Sequence, residues 1–378
     1  MPINDEVIEL NFSMLNHPAL YDTNKTYEQN IQNGPPFLHK KQKIKTRKKI
    51  KQVTHFGMRL NSSFGISAGP LFHSQFVKLA FELGFDINVY KTQRSVSFKS
   101  NSFPNILPLN IKGNLSFTQA NHGIKVREKF PDEISQLSIT NSFGNPSHGP
   151  EFWVPDLSKA LLSEQKGQLL IMSVVGTLQD KFNAEDYFKD FAYTASLAHK
   201  TGVKAIEINL SCPNVKGEGI LCFNIEAVEN ICKKVKNVLG NTPLIIKLGY
   251  FDTSQNELLE KLLSKITPYI HAISAINTLP AKIITRTGEN AFPNDHGTTS
   301  GVCGGSIQWA GLSMVKKLQR IRKNNMYDFS IIGIGGVLTE DDYILYRTSG
   351  ADIVQSATGA IWDPELAYKI WKKTNYDS

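Results

Sequence analysis

From about residue 57 onward, short β-like apolar runs alternate with longer stretches of helical character. The runs predict eight strands near Phe64–Ala68, Asp86–Lys91, Leu169–Val174, Ala205–Asn209, Pro243–Leu248, Ala272–Asn277, Ser330–Gly333 and Ile353–Ser356. Helices are predicted over Gln75–Leu83, Tyr187–His199, Ile225–Val238, Gln255–Ile266, Ala310–Arg322, Glu340–Thr348 and Pro364–Lys372. Strands that alternate with crossover helices form parallel sheets, and eight such units suggest a closed α/β barrel, the (β/α)8 TIM barrel. A doubly wound open sheet is the alternative.

Two segments fall outside this alternation. Residues 1–56 are polar, contain Asn33-Gly34-Pro35-Pro36, and read as an N-terminal extension to a barrel over 57–378. Residues from about 96 to 152 hold several prolines and the run Asn141-Ser142-Phe143-Gly144-Asn145-Pro146. That stretch is too long for a plain connection. It reads as an insertion between the second and third strands, lying over the C-terminal mouth of the barrel as a substrate platform or lid.

Charge changes the picture only locally. The formal net charge of +8 is carried by Lys40, Lys41, Lys43, Lys45, Arg47, Lys48, Lys49 and Lys51, a run with no acid in it, and the rest of the chain is neutral. Such a run can bind nucleic acid or an anionic membrane, and a solvated arm is the simpler reading. No aromatic residue interleaves it, which argues against stacking on bases. No apolar run approaches the roughly 18 residues of a membrane span. The first residues lack the apolar centre of a signal peptide. The cysteines are Cys212, Cys222, Cys232 and Cys303, with no CxxC pair and no histidine cluster, so no metal site is expected. Together these features suggest a cytoplasmic protein with reduced thiols.

Candidate chemistry gathers at predicted strand ends. Ile206-Glu207-Ile208-Asn209-Leu210-Ser211-Cys212-Pro213-Asn214 is an apolar strand that finishes in amides flanking a thiol. Amides offer donors and acceptors to a flat neutral ligand, and a thiol among them can move a proton. Lys91 and Lys247 sit at the ends of apolar runs, where a buried ammonium needs a partner. Asn141 and Asn277-Thr278 add further polar groups in the insertion and after strand six. Gly333-Ile334-Gly335-Gly336 and Gln355-Ser356-Ala357-Thr358-Gly359 follow strands seven and eight. In a barrel those loops are the usual phosphate site.

The Asn-Leu-Ser-Cys-Pro-Asn run closely resembles the signature of the dihydroorotate dehydrogenases, FMN-containing (β/α)8 barrels, in their class 1 form. The resemblance continues at points from about residue 57 to 373. It implies that Ala68-Gly69, Lys91, Ser173, Asn209, Lys247, Gly304-Gly305, Gly335-Gly336 and Ala357-Thr358 hold FMN. It implies that Asn141, Asn209, Asn214, Asn277 and Thr278 hold the pyrimidine, dihydroorotate, while Cys212 takes the C5 proton and Lys91 assists. It assigns no role to Cys222, Cys232 or Cys303. A homodimer and an electron acceptor are expected from it; fumarate, NAD through a partner subunit and quinone all fit. Class 2 relatives carry serine in place of the cysteine.

The chain departs from the family at three places. The arginine of the Gly-Asn-x-x-Pro-Arg element is missing near Lys99–Asn105, and Asn145-Pro146-Ser147 replaces an apolar-Pro-Asn loop. Ala357 stands where the family usually has glycine. The rival enzyme reading is the pyrimidine-reducing domain of dihydropyrimidine dehydrogenase, which usually has histidine at the Asn214 position. A non-catalytic binding protein on a degenerate barrel, anchored to nucleic acid through residues 40–51, is the rival outside enzymes.

Overall fold

The eight predicted strands all form. A computed structural model describes residues 18–39, 44–48, 50–179, 182–211, 221–293, 297 and 299–376. We number the barrel strands β1 (Phe64–Ile66), β2 (Ile87–Gln93), β3 (Leu169–Val174), β4 (Ile206–Asn209), β5 (Leu244–Leu248), β6 (Ala272–Ala275), β7 (Ser330–Gly333) and β8 (Ile353–Ser356). They form one parallel sheet in the order β1-β8-β7-β6-β5-β4-β3-β2. The ring closes between β1 and β2 without a full ladder. Asp86 donates its backbone N–H to the Phe64 carbonyl at 3.0 Å, and the Asn88 Oδ1 accepts from Ile66 at 3.1 Å. The approach there is so close that a Cβ on Gly65 would lie 1.8 Å from the Ile87 carbonyl oxygen, so only glycine closes this seam.

Helices α1 (Ser74–Glu82), α2 (Pro150–Leu161), α3 (Ala184–His199), α4 (Ile225–Leu239), α5 (Asn256–Ile266), α6 (Gln308–Asn325), α7 (Glu340–Thr348) and α8 (Leu366–Tyr376) each follow a strand in order. In α4, Val228, Ile231, Cys232, Val235 and Leu239 recur at helical spacing and are buried, while the Asn224 side chain caps the first turn. Helix α2 is the one crossover helix absent from the sequence expectation. Pro150 and Pro155 look like loop residues, but Pro150 occupies the first turn, where its missing N–H costs nothing. Asp156 of α2 then accepts from the Ser74 backbone and hydroxyl and from the Tyr90 hydroxyl, each at 2.7 Å, which docks α2 on α1 and β2.

Side chains alternate across each strand, so every second residue points into the barrel. The lower interior is dry: Ile87, Val89, Leu169, Ile171, Ile245 and Ile353 belong to one buried cluster, sealed by Leu60 from the hairpin Val53–His55/Met58–Leu60. The same inward rows become polar toward the C-terminal ends, with Lys91 two residues after Val89, Ser173 after Ile171 and Lys247 after Ile245. The outward residues, such as Ile206, Ile208, Leu244 and Ile246, join the larger core under the helices.

Segments outside the barrel build its mouth. Ser138–Asn141, Ser300–Gly304 and Leu279–Ala281 form a small antiparallel sheet that joins the β2–α2 insertion to a second insertion between β6 and α6. The N-terminal stretch packs here as well: Ala19 and Leu20 donate to the Ile361 carbonyl, and Tyr21 and Tyr27 meet Phe72 and Phe143 in tilted and edge-to-face contacts. The solvated-arm reading of residues 40–51 fails at Arg47. Its guanidinium makes a two-pronged ion pair with the fully buried Asp86, at 2.7 and 2.8 Å. Lys45 likewise meets Glu365 at 2.8 Å.

Candidate active site

The polar ends of the inward rows open into a cleft whose empty space, with the solvent at its mouth, is about 870 Å3. An adjoining chamber of about 460 Å3 shares much of its wall, including Ala68, Asn141, Lys247, Asn277 and Thr358. The larger chamber adds Gly69, Lys91 and Asn209. The smaller adds Thr278, Gly304, Gly335 and Gly336. Most of the residues singled out in the sequence therefore converge on one double cavity. Ser173 and Gly305 do not line it. Ser173 is fully buried behind it, bonded to Thr92 Oγ1 at 2.9 Å and donating to Glu207 Oε1 at 3.1 Å. Gly305 backs onto the Ser135 carbonyl, which leaves no room for a Cβ. Cys212 and Asn214 lie outside the described residues.

Strand geometry sets the orientation of each group. Lys91 is inside β2 rather than at its end, because β2 runs on to Gln93. Its ammonium donates to the Pro146 carbonyl at 2.8 Å and the Thr92 carbonyl at 3.2 Å, and lies 5.9 Å from the centre of the Tyr27 ring. Asn209 ends β4; its Oδ1 accepts from the Ser211 N–H at 3.2 Å and from the Asn277 Nδ2 at 3.3 Å, so two of the amides form one unit. Asn277 stands two residues beyond the end of β6, and its Oδ1 accepts from the Thr278 N–H at 3.0 Å.

Three donors are left over. Lys247 is only 4 % exposed, and among the described residues no hydrogen-bond acceptor for its ammonium is found. The Thr278 hydroxyl and the Asn145 amide nitrogen are buried without partners among the described residues. A buried cation and buried donors are costly when unpaired. They suit a ligand rich in oxygen acceptors and carrying negative charge.

The smaller chamber has the character of a phosphate site. Gly335 and Gly336 turn with φ of +117° and +69°, and a Cβ on Gly336 would sit 2.7 Å from the Gln308 Cβ at the start of α6. Glycine here lets the chain pass directly over a helix beginning. Ala357, in the right-handed region, needs no glycine, so this departure from the family pattern does not disturb the loop.

Among the wall residues that sequence reasoning missed are Tyr21, Phe143, Asn145 and Cys303. Burial pushes the Cys303 thiol up to about 12 even though the nearby Lys247 charge pulls it down, so it is a neutral wall residue. The other two described thiols are buried, with Cys222 pushed up to about 12 by the same cause and Cys232 also raised. Phe143 and Asn145 lie in the Asn141–Pro146 run of the insertion, whereas nothing local marks Tyr21 or Cys303 as wall residues.

A parallel barrel with lysines and amides at its strand ends, beside glycine loops after β7 and β8, defines a class: barrels that hold a phosphorylated, ring-bearing cofactor against a second small molecule. The comparisons with known proteins narrow this. The family model described as dihydroorotate dehydrogenase matches residues 130–375. A dihydroorotate dehydrogenase of Dictyostelium discoideum is 37 % identical over 96 % of this chain and 98 % of its own length. The catalytic subunit of a dihydroorotate dehydrogenase B (NAD(+)) of Petrotoga mobilis is 28 % identical over 67 % of this chain and 75 % of its own. A dihydroorotate dehydrogenase A (fumarate) of Limosilactobacillus reuteri is 28 % identical over 50 % and 58 %. The chain belongs to the dihydroorotate dehydrogenase family, whose members of this type depend on FMN. The unpaired Lys247 ammonium and the glycine-lined chamber fit that cofactor.

Proposed function

We propose that this chain oxidises dihydroorotate to orotate in pyrimidine synthesis. What supports the reading is the convergence of Lys91, Lys247, Asn141, Asn209 and Asn277 on one cavity at the strand ends, in a chain that matches its Dictyostelium relative almost end to end. Bound FMN supplies the acceptor for the hydride leaving C6. Lys247 holds negative charge at the cofactor ring, and Lys91 is positioned on the substrate side by the Pro146 and Thr92 carbonyls. The asparagines bind the pyrimidine through its amide edges; a substrate lacking those edges leaves them unpaired and is rejected. Ala68 and Gly69 let the ring lie close to backbone, and Gly304, Gly335, Gly336, Ala357 and Thr358 take the phosphate. Cys212 and Asn214 complete the set from the β4 loop. The thiol removes the C5 proton and needs only modest tuning from about 8.5 to act near neutrality.

We further propose a 57–378 barrel with 1–56 as its extension, working as a cytoplasmic homodimer, as the class 1 resemblance implies. No described helix is long and apolar enough to cross a membrane. The relatives' names divide between NAD(+) and fumarate as oxidant.

The test is an anaerobic visible spectrum before and after adding dihydroorotate, with dihydrouracil as comparison. Bleaching by dihydroorotate alone is expected. Bleaching by dihydrouracil would transfer the assignment to dihydropyrimidine chemistry, and a protein that binds no flavin would end the enzymatic reading.

A further inference from the structure

The loop over the larger chamber turns through two successive left-handed residues, Gly144 at φ +76° and Asn145 at φ +55°. Asparagine is one of the few side-chain-bearing residues that accept this backbone readily. Two buried cations fix the loop from beneath. Arg94, fully buried, donates from Nε to the Asn145 carbonyl at 3.0 Å, and Lys91 donates to the Pro146 carbonyl at 2.8 Å. The main chain on either side of the Asn145–Pro146 bond is thus held, and with it the direction of the Asn145 side chain. That side chain forms part of the cavity wall. Its Nδ2 is closed off from solvent and has no acceptor among the described residues. Asn145 lines the chamber that contains Lys91, Asn209 and Phe143, and it is not part of the chamber lined by Gly335 and Gly336. The side chain that carries the donor therefore borders the substrate side rather than the phosphate side.

We propose that Asn145 is a substrate-specifying residue, its amide N–H donating to a carbonyl or carboxylate oxygen of the bound pyrimidine; this deepens, and rests on, the dihydroorotate reading. The class 1 pattern that the chain resembles has an apolar residue in this position of the loop. A neutral donor accommodates an anionic substrate, whereas a carboxylate of the same shape presents only acceptors and repels it.

The experiment compares wild-type, Asn145→Gly and Asn145→Asp holoenzymes. Each is mixed anaerobically with dihydroorotate, and the rate of flavin bleaching is followed against substrate concentration. Glycine accepts the left-handed backbone without strain, and aspartate keeps both the size and the backbone tolerance of asparagine. The expected result is an unchanged flavin content in both variants. The half-saturating concentration rises about tenfold for Asn145→Gly, equivalent to about 1.4 kcal/mol, and about a hundredfold for Asn145→Asp. A weakened Asn145→Gly beside an Asn145→Asp that behaves like wild type would mean the side chain only fills space, and the donor role falls. Both variants within twofold of wild type would remove Asn145 from recognition while leaving the dihydroorotate reading intact. Wild-type flavin that dihydroorotate does not bleach would remove that reading and this inference together.

Discussion

Replacing Lys247 by methionine separates what this lysine does for the cofactor from what it costs the fold. Lys247 is 4 % exposed on β5, borders both chambers, and has no acceptor among the described residues. An ammonium in that position has lost much of its hydration with nothing among the described residues to replace it. Methionine has similar length and no charge, so Lys247→Met should stabilise the flavin-free protein by roughly 2 kcal/mol, within the gain seen when buried charges give way to apolar groups. At about 2 °C per kcal/mol for a large domain, the melting temperature rises by about 4 °C. FMN binding moves the other way. Loss of one hydrogen bond to a charged group costs about 1.5–3 kcal/mol, which is roughly a ten- to hundredfold rise in Kd. The assay is reconstitution of stripped protein, with flavin fluorescence giving the Kd and circular dichroism giving the melting temperature with and without FMN. Opposite signs in the two readouts are the signature. A variant with a lower flavin-free melting temperature, or with a Kd within twofold of wild type, would refute the reasoning.

Three further outcomes follow from named groups. Cys212→Ala should retain FMN while flavin reduction by dihydroorotate slows by roughly a hundred- to ten-thousandfold, the usual span for a lost general base; normal reduction would remove the thiol from the mechanism. Asp86→Ala leaves the Arg47 guanidinium, and the Ser62 hydroxyl that donates to Asp86 at 2.6 Å, without their shared acceptor. A loss of about 3–5 kcal/mol in a denaturant titration is expected, with faster proteolysis around residues 40–51, and a loss below about 1 kcal/mol would show that the ion pair does not anchor this segment. His55 is held at about 4, chiefly by burial and then by the Arg347 charge, against an ordinary value of 6.5. Its folded form stays neutral, so its contribution is complete above about pH 6.5 and is lost as pH falls toward 4. With the ring partly exposed this amounts to roughly 2 kcal/mol. A His55→Gln variant should show a shallower fall in stability over that window, and identical slopes would exclude His55 as the source.

The barrel was legible because its signals are local. Parallel strands covered on both sides are apolar runs, and helices such as α4 carry their buried face at fixed spacing. Lys91 and Lys247 stood out because a charge in such a run contradicts the pattern. What stayed hidden depends on distant partners. Cys303 reaches the cavity wall through a ladder in which it faces Ile139, a pairing between residues far apart in the chain that no local pattern announces. Tyr21 and Tyr27 sit in a polar stretch without periodicity, and only their contacts with Phe72 and Phe143 make them part of the mouth. Asn145, between glycine and proline, reads as an ordinary turn residue. Its distinguishing property is an unmet hydrogen bond, which belongs to the folded state alone.

The change from apolar to polar along the same inward rows explains how stability and chemistry coexist in one barrel. Ile87, Leu169, Ile245 and Ile353 at the base are sealed by the Val53–Leu60 hairpin and need no ligand. Two to four residues higher, Lys91 and Lys247 occupy the same rows. Lys91 is satisfied by carbonyls, so its position is fixed before any ligand arrives. Lys247, Thr278 and Asn145 are left with donors unmet, and they border different parts of the double cavity. Each unmet donor lowers the stability of the ligand-free fold and raises the gain when an acceptor enters. That difference favours oxygen-rich anionic ligands over apolar ones, because an apolar molecule would fill the space and leave the donors unpaired. The apolar base keeps the fold intact while the upper layer carries this deficit, so the discrimination resides in residues that the barrel does not need for folding.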